Sequence, residues 1–219
     1  MNRAGVLKII NDTGLVPIVR ANSSDEALKV VEAIRAAGVS TVEITMTVPG
    51  AIKLLESLSS TLGDKVLLGA GTVLDPETAR LAILAGAEFL ISPALNPKVI
   101  EMTRRYGKVS IPAGLTPTEI LAAWEAGADF VKIFPCGTVG GADYIKALKA
   151  PFPQIEMIPT GGVNLETAGE FLKAGACAVA VGGELVDTKT INEGSFHIIE
   201  ERARQYLAVI AKARAEMAV

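Results

Sequence analysis

The chain has 219 residues, half of them hydrophobic, and its 21 Lys and Arg against 24 Asp and Glu give a formal net charge of −3. This composition supports a large buried core and excludes intrinsic disorder, while the lack of a basic tract disfavours a nucleic-acid-binding protein. One histidine and two cysteines exclude a histidine-rich catalytic zinc site, a four-cysteine zinc site and a disulfide framework, and they disfavour a Ser-His-Asp triad.

The amino-terminal residues do not read as a targeting segment. Residues 1–7 lack the charged, apolar and small-residue pattern of a signal peptide. No apolar run reaches the ~20 residues that a membrane span needs. We therefore expect a cytoplasmic protein with reduced thiols and no membrane contact.

Short apolar runs rich in strand-forming residues alternate with helical patterns along the chain. The predicted strands cover residues 15–20, 41–46, 65–71, 88–93, 108–114, 130–135, 156–162 and 177–183. Helix-start signals lie between them at 24–26, 75–77, 96–97, 116–119 and 164–166. Eight alternating units predict parallel strands joined by helices, and hence an α/β fold with a single (β/α)8 TIM barrel over residues 1–219, preceded by an N-terminal helix.

An Ala-Gly pair ends four of the predicted helices and aligns the strands that follow. The glycines are Gly38, Gly86, Gly127 and Gly175. Five residues after them come Glu43, Ile91, Lys132 and Ala180, and two residues later come Thr45, Pro93, Phe134 and Gly182. The positions between are almost all aliphatic, and side chains alternate between the two faces of a strand. We therefore predict that Glu43 and Lys132 face the barrel interior.

Buried charges of this kind are costly unless they pair or titrate. A free lysine is neutral at pH 7 in about one molecule in two thousand, but burial lowers its pKa by ~3 units or more. A neutral Lys132 amine can attack a ketone and form a Schiff base, and Glu43 can move the protons that this chemistry requires. Two alternatives involve no catalysis. Glu43 and Lys132 could form a structural ion pair, or both could lie at the rim of the barrel. No metal or other cofactor is needed for the Schiff-base reaction.

Further candidate groups end the other predicted strands, at the rim where barrel active sites lie. Arg20 ends the first strand and can hold a carboxylate, although it can equally be an ordinary rim residue. The third strand runs into the sequence Gly-Ala-Gly-Thr at 69–72, where glycines let the backbone approach a ligand. The turns at 160–163 and 182–183 contain paired glycines, which at this place in a barrel favour a phosphate site or are simply tight turns.

Five short motifs give the chain a resemblance to a known family. They are Val42–Thr45, Gly69–Thr72, Ile91–Pro93, Lys132–Pro135 and Pro159–Val163. In order and spacing they resemble those of the 2-keto-3-deoxy-6-phosphogluconate (KDPG) and 4-hydroxy-2-oxoglutarate (KHG) aldolases. The resemblance implies a metal-independent class I aldolase on a (β/α)8 barrel, forming a homotrimer. It would reversibly cleave a 4-hydroxy-2-oxo acid to pyruvate and an aldehyde, either glyceraldehyde 3-phosphate or glyoxylate.

The same resemblance implies roles for individual residues. Lys132 would form the Schiff base, and Glu43 would be the general acid and base. Arg20 and Thr72 would bind the pyruvate carboxylate, and Pro93 and Phe134 would shape the pocket. The distal or phosphate end of the substrate would lie near Thr160, Gly161, Gly162, Gly182 and Gly183.

Two positions depart from the family pattern. Some members carry an arginine where this chain has Thr47, and Arg20 would then compensate. A serine that often contributes to the phosphate site is replaced by Glu184. A carboxylate repels a phosphate dianion, so the sequence also allows a pyruvate aldolase that prefers unphosphorylated aldehydes.

Two other functions remain open. A phosphate-binding barrel of the thiamin-phosphate isomerase or synthase type would use the same glycine turns, but it does not need an inward lysine. A non-catalytic trimeric scaffold would gain nothing from buried charges.

Four residues with reactive or bulky side chains receive structural interpretations. Cys136 and Cys177 are expected to fill small core positions. His197 is expected at the surface, and Trp124 is expected to pack against another helix or subunit.

Overall fold

A computed structural model describes residues 1–62 and 65–218. Its helices are α1 (Arg3–Thr13), α2 (Ser24–Ala36), α3 (Ala51–Leu62), α4 (Pro76–Leu84), α5 (Pro97–Arg105), α6 (Pro117–Glu125), α7 (Gly141–Lys149), α8 (Ala168–Lys173), α9 (Thr188–Asn192) and α10 (Phe196–Met217). Its strands are β1 (Leu15–Val19), β2 (Thr41–Thr45), β3 (Leu67–Gly71), β4 (Phe89–Ile91), β5 (Val109–Ile111), β6 (Ala113–Gly114), β7 (Val131–Ile133), β8 (Met157–Pro159) and β9 (Val179–Val181).

Most of the predicted helix starts are confirmed by capping hydrogen bonds. The side chains of Ser23, Asp75, Asn96 and Thr116 each accept a bond from a backbone N–H in the first turn. The predicted start at 164–166 is wrong by a few residues. Asn164 Oδ1 there accepts bonds from the N–H groups of Glu166 and Thr167 in a turn, and α8 begins only at Ala168. An asparagine satisfies a turn as well as a helix N-terminus, so its sequence signal does not distinguish the two.

The strands are parallel and lie in two sheets. One sheet has the order β5-β4-β3-β2-β1-β9, and the other has the order β6-β7-β8. The fifth predicted strand is divided into β5 and β6 by Pro112, which has no N–H to donate to a ladder. An isolated parallel bridge joins Thr160, just after β8, to Ala180 in β9. The fold is therefore an α/β fold of the TIM-like kind.

Two apolar clusters confirm the predicted alternation of strand faces. Val42, Ile44, Leu90 and both neighbours of Lys132 belong to the cluster shared with the helices. Ile91 and Ala180 instead belong to the interior cluster, together with Ile18, Phe89 and Phe130. The residues aligned with Glu43 and Lys132 therefore face inward.

Helix α1 covers the amino end of this interior. Val6 and Ile10 are buried in the interior cluster against the first residues of the strands, such as Leu67 and Val109. Arg3 adds an ion pair with Asp129, whose side chain is buried and also accepts a bond from the Ser110 N–H. The helix thus keeps water out of the interior from the end opposite the candidate site.

The longest helix described, α10, packs along α2 and α8. Its buried face includes Ile199, Ala203, Tyr206 and Ile210. Within the described ranges, no helix combines the length and apolar character required to cross a bilayer.

Replacing Ile10 with alanine should lower the free energy of unfolding by about 2–5 kcal/mol, because it leaves a cavity in the interior cluster. Urea denaturation measures this difference. Ile9→Ala is the matched control, since Ile9 is adjacent but only partly buried, and it should cost clearly less. Equal losses in the two variants would show that α1 does not close the interior.

Candidate active site

The two predicted reactive residues lie inside the barrel-like interior, on different sheets. Glu43 sits in the middle of β2, beside Ile18 of β1 and Gly69 of β3, and is 1% exposed. Lys132 sits in the middle of β7, beside Ala113 of β6 and Ile158 of β8, and is 5% exposed. Both groups are therefore held by strands and not by loops.

The glycines of β3 make room for these inward side chains. A Cβ on Gly71 would lie 1.7 Å from Glu43 Oε1, and a Cβ on Gly69 would lie 2.1 Å from the Phe89 ring. Such separations are impossible for real atoms, so the space beside β3 is occupied by the Glu43 carboxyl and the Phe89 ring. The sequence alone predicts that these glycines let the backbone approach a ligand, whereas their role in making room for Glu43 and Phe89 is visible only in the structure. The sequence does contain a signal for this role. A large inward residue on β2 is matched by glycines at the neighbouring inward positions of β3.

Burial dominates the ionisation of Glu43. It raises the pKa of Glu43 above its ordinary value, while the nearby charges of Lys132 and Arg20 act in the opposite direction. Among the residues that the structure describes, Glu43 Oε2 is buried without a hydrogen-bond partner, and the carboxyl makes no ion pair within 4.0 Å. A carboxyl with a raised pKa holds a proton more readily than an exposed one and can still release it, as a general acid and base must.

Burial acts on Lys132 in the complementary direction. It lowers the pKa of Lys132, and Arg20 lowers it further, whereas Glu43 raises it. Lys132 Nζ lies 5.2 Å from the centre of the Phe134 ring, within the range of a cation–π contact. The fraction of neutral, nucleophilic amine is therefore increased.

A cavity of about 230 Å³, which we call the mouth cavity, is linked to these groups through Arg20 and Phe134, although neither Lys132 nor Glu43 lines it. Its lining brings together the ends of several strands and most of the predicted binding residues. They are Ile18, Arg20, Phe134, Thr160, Gly161, Gly162, Val163, Ala180, Gly182, Gly183 and Glu184. The cavity opens at the carboxyl end of the strands, where substrates of such folds bind.

The turn after β8 owes its glycines to both conformation and packing. Gly161 and Gly162 have φ values of 83° and 76°, which disfavour a side chain. A Cβ on Gly162 would lie 2.6 Å from the Cα of Gly137, and the Gly137 N–H donates to the Gly161 carbonyl at 2.9 Å. The tight-turn interpretation therefore accounts for these glycines by itself. Thr160, just before them, is buried, and its Oγ1 has no hydrogen-bond partner among the described residues.

Thr72 and Pro93 follow β3 and β4 and are partly buried, but neither lines the mouth cavity. Thr72 has a φ of 58°, the one positive value recorded for a non-glycine residue in the described ranges. For a β-branched residue this conformation is strained, and such strain is concentrated at functional sites. Thr72 therefore stays a candidate through its backbone and not through a shared cavity.

Two hydroxyl groups beside the site support its loops, and neither role was predicted from the sequence. Ser92 Oγ donates to the Val73 carbonyl at 2.6 Å, which ties the loop after β3 to β4. Thr45 Oγ1 donates to the Val19 carbonyl at 3.1 Å and lies 2.7 Å from Thr47 Oγ1. Thr47 stands at the position where some members of the similar family carry an arginine. Its hydroxyl is hydrogen-bonded to that of Thr45.

A larger cavity, of about 870 Å³, lies elsewhere in the described part of the chain. It lies between α7, α8 and the short 3-10 helix Cys136–Val139, and it shares only Pro135 and the turn at 161–162 with the site region. Like the mouth cavity, it is not lined by Lys132 or Glu43, but it also lacks Arg20 and Phe134, which connect the mouth cavity to the reactive pair. Its size therefore does not make it the reactive centre.

The remaining predictions concern residues with structural roles. Cys136 is fully buried and Cys177 is partly buried, and both are free thiols. His197 is exposed at the second residue of α10. Trp124 is 42% exposed at the surface of α6.

Comparison with known proteins agrees with this geometry. The family model for KDPG and KHG aldolases matches residues 6–202. The 2-dehydro-3-deoxy-phosphogluconate aldolase of Treponema pallidum is 30% identical over 205 residues, which cover 94% of this chain and 97% of that protein. The 2-dehydro-3-deoxy-6-phosphogalactonate aldolase of Escherichia coli K12 is 37% identical over 172 residues, which cover 78% and 83%.

Among solved structures, the fold is similar to that of a KDPG aldolase from Legionella pneumophila, with pyruvate captured at low pH as a covalent carbinolamine intermediate. The TM-score is 0.84 at 30% identity, over 91% of this chain and 96% of that one. The chain belongs to the KDPG and KHG aldolase family.

Proposed function

We propose that this protein is a class I aldolase in which Lys132 forms a Schiff base with the substrate ketone. The enzyme is a carbon–carbon lyase that reversibly cleaves 4-hydroxy-2-oxo acids of the KDPG and KHG type to pyruvate and an aldehyde. The observation that carries the proposal is a buried lysine with a lowered pKa in the same interior as a buried glutamate with a raised pKa. The pyruvate carbinolamine captured in the Legionella relative supports the same chemistry.

The reaction requires several proton transfers, which we assign to Glu43. The neutral Lys132 amine attacks C2 of the substrate, and the carbinolamine loses water once a proton reaches its oxygen. The resulting iminium withdraws electrons while a base takes the proton from the C4 hydroxyl, so that the C3–C4 bond breaks and the aldehyde leaves. The remaining enamine is protonated at C3, and water then releases pyruvate and restores the amine. A buried carboxyl that can both hold and accept a proton suits each of these steps.

The substrate carboxylate needs a partner at the rim. Arg20 provides a cation at the mouth cavity and is close enough to influence the pKa of both Glu43 and Lys132. A guanidinium can hold a carboxylate through two parallel hydrogen bonds. We assign the pyruvate carboxylate to Arg20 with the strained Thr72 segment, and we assign the walls of the pocket to Pro93 and Phe134.

The two competing functions fit the interior less well. A phosphate-binding synthase or isomerase would use the turns after β8 and β9, but it has no use for an inward lysine. A scaffold would carry the cost of burying Glu43 and Lys132 without a direct ion pair between them.

We also infer that the two sheets form one closed eight-stranded barrel, as a single domain. Only Pro112 separates β5 from β6, so these strands act as one interrupted strand shared by both sheets. At the opposite edge, the bridge between Thr160 and Ala180 joins the β8 segment to β9.

A homotrimer is the assembly that we propose. Leu74, Leu81 and Leu84 lie before and on α4, and each is more than half exposed. Trp124 on α6 is a further exposed apolar side chain. Apolar groups grouped in this way favour a protein–protein interface.

We propose a cytoplasmic location for the enzyme. Cys136 and Cys177 are free thiols, which suits a reducing compartment. The small anionic substrates of this reaction are the partners that the site requires, and neither nucleic acid nor membrane is among them.

Trapping the Schiff base tests the proposed nucleophile. Incubation with pyruvate and borohydride should increase the protein mass by one reduced pyruvyl group, because borohydride makes the imine bond permanent. Lys132→Ala should abolish the increase. Lys98→Ala, which removes an exposed lysine, is the control and should leave it unchanged. An undiminished adduct in Lys132→Ala, or no wild-type adduct at millimolar pyruvate, would refute the assignment.

The pH dependence of trapping tests the electrostatics. At low pyruvate the rate should rise as Lys132 loses its proton, with a midpoint below the ordinary lysine pKa of about 10.4. Glu43→Gln should move the midpoint to lower pH, since the carboxylate raises the pKa of Lys132. Arg20→Leu should move it to higher pH, since the guanidinium lowers that pKa. One common midpoint for all three proteins would contradict this.

Gly71→Ala tests whether the position of Glu43 matters. The added Cβ would occupy the place of Glu43 Oε1, so the carboxyl must move. We expect kcat to fall by about 10²–10⁴-fold, the usual contribution of a general acid or base, as in Glu43→Gln. Gly169→Ala is the control, because a Cβ there meets neighbours at an ordinary 3.6 Å. Wild-type kcat in a folded Gly71→Ala protein would exclude the proposed role of this contact.

A further inference from the structure

The side chain of Arg20 is not held in place by any partner of its own. It is exposed, and within the described part of the chain its guanidinium takes part in no hydrogen bond or ion pair. Its Nη1 reaches the end of β9, where a Cβ on Gly182 would lie 3.7 Å away. A long side chain that is free in this way can adopt many rotamers. Its direction is therefore set chiefly by the backbone from which it leaves β1.

That backbone is restrained by a buried threonine of the neighbouring strand. Arg20 directly follows Val19, the last residue of β1, and the Val19 carbonyl accepts a hydrogen bond from Thr45 Oγ1 at 3.1 Å. A peptide unit is planar, so the plane that holds the Val19 oxygen also holds the Cα of Arg20. The bond from Thr45 therefore restrains the direction in which the Arg20 side chain leaves the strand.

The Thr45 hydroxyl is itself held by a second hydroxyl. Its Oγ1 lies 2.7 Å from Thr47 Oγ1. A hydroxyl has one proton to donate, and a carbonyl can only accept. Because Thr45 donates its proton to Val19, it must accept from Thr47. The bonds therefore run in one order, from Thr47 to Thr45 to the Val19 carbonyl, and bonds in such a chain strengthen one another.

The same contact occurs at the other end of the same two strands. Thr41 Oγ1 donates to the carbonyl of Leu15, the first residue of β1. Thr41 and Thr45 are both fully buried, both stand two residues from Glu43, and both bond a β1 carbonyl 26 positions earlier. Each bond joins β2 to β1, but only that of Thr45 lies next to Arg20. The chain therefore contains a matched pair that separates strand stability from the placement of Arg20.

We propose that Thr45 is a positioning residue that directs Arg20 towards the carboxylate of the bound 2-oxo acid, with Thr47 holding the Thr45 hydroxyl. This rests on the proposed aldolase function and explains how one of its binding residues is oriented. Thr45 acts through the Val19 carbonyl and needs no contact with the substrate. Restricting the rotamers of Arg20 before binding lowers the entropy that the guanidinium loses when it pairs with a carboxylate.

The test compares two ketones in borohydride trapping at low ketone concentration. Acetone has the reactive carbonyl of pyruvate without its carboxylate. The ratio of the two trapping rate constants therefore reports carboxylate recognition, and it cancels the fraction of neutral amine, which both ketones share. Thr45→Val removes the hydroxyl and keeps the shape, and the ratio should fall by about two- to tenfold, the usual value of one neutral hydrogen bond. Thr45→Ser restores the hydroxyl and should keep the wild-type ratio.

Three further variants separate positioning from stability. Thr41→Val removes the matched bond and should lower the thermal midpoint while leaving the ratio unchanged. Arg20→Leu should lower the ratio more than Thr45→Val does, and combining the two should lower it no further, because the positioned group is gone. Thr47→Val lies at an exposed position, so it leaves the core intact, and it should lower the ratio by less than Thr45→Val.

A wild-type ratio in a folded Thr45→Val protein, an equal fall in Thr41→Val, or a further fall in the Arg20→Leu background would overturn the proposal. If Thr45→Val does not fold, an unchanged ratio in Thr47→Val decides against it. The wild-type pyruvate adduct distinguishes these failures from failure of the aldolase function. A normal adduct with an unaffected ratio overturns only the positioning role. An absent adduct overturns the Schiff-base mechanism, and the positioning role with it.

Discussion

The cost of keeping a lysine and a glutamate inside the apolar interior of a TIM-like fold is the constraint on which the site depends. Burial lowers the pKa of Lys132 and raises the pKa of Glu43, so it drives both groups towards their neutral forms. A structural ion pair would recover this cost through direct contact. Here Glu43 Oε2 has no hydrogen-bond partner among the described residues, and neither carboxyl oxygen of Glu43 lies within 4.0 Å of Lys132 Nζ. Packing therefore shifts both groups towards their neutral forms, which increases the share of nucleophilic amine and lets the carboxyl exchange protons.

Packing of this kind requires that the backbone fix both side chains while leaving them room. The strands supply the fixed positions, and α1 closes the amino end with Val6 and Ile10. Room comes from β3, where Gly69 accommodates the Phe89 ring and Gly71 accommodates the Glu43 carboxyl. The same short segment ends in Thr72 with its positive φ. The glycines of the Gly-Ala-Gly-Thr sequence are therefore explained by the positions of Glu43 and Phe89, without any contact to a ligand.

The features that the sequence predicts well are those set by local periodicity. The Ala-Gly helix ends give a common origin for four strands, and two-residue alternation then places Glu43 and Lys132 on the inner face. The features that it predicts poorly arise from contacts between strands or from ambiguous signals. The clash of a Gly71 side chain with Glu43 depends on the register of β2 and β3. The division at Pro112 depends on one missing N–H, and Asn164 carries the same cap signal in a turn as at a helix start.

The placement of Arg20 links substrate binding to the chemistry of Lys132. In the free protein the guanidinium lowers the pKa of Lys132, and so it helps to keep the amine nucleophilic. On the proposed mechanism, the pyruvate carboxylate neutralises Arg20 when substrate binds. The repulsion that favoured a neutral amine is then relieved, at the stage when the nitrogen becomes a cationic iminium. A second cation near the amine would lack this compensation and would oppose the iminium. One arginine near the amine, placed to bind the substrate carboxylate, is therefore the charge arrangement that suits both nucleophilic attack and bond cleavage.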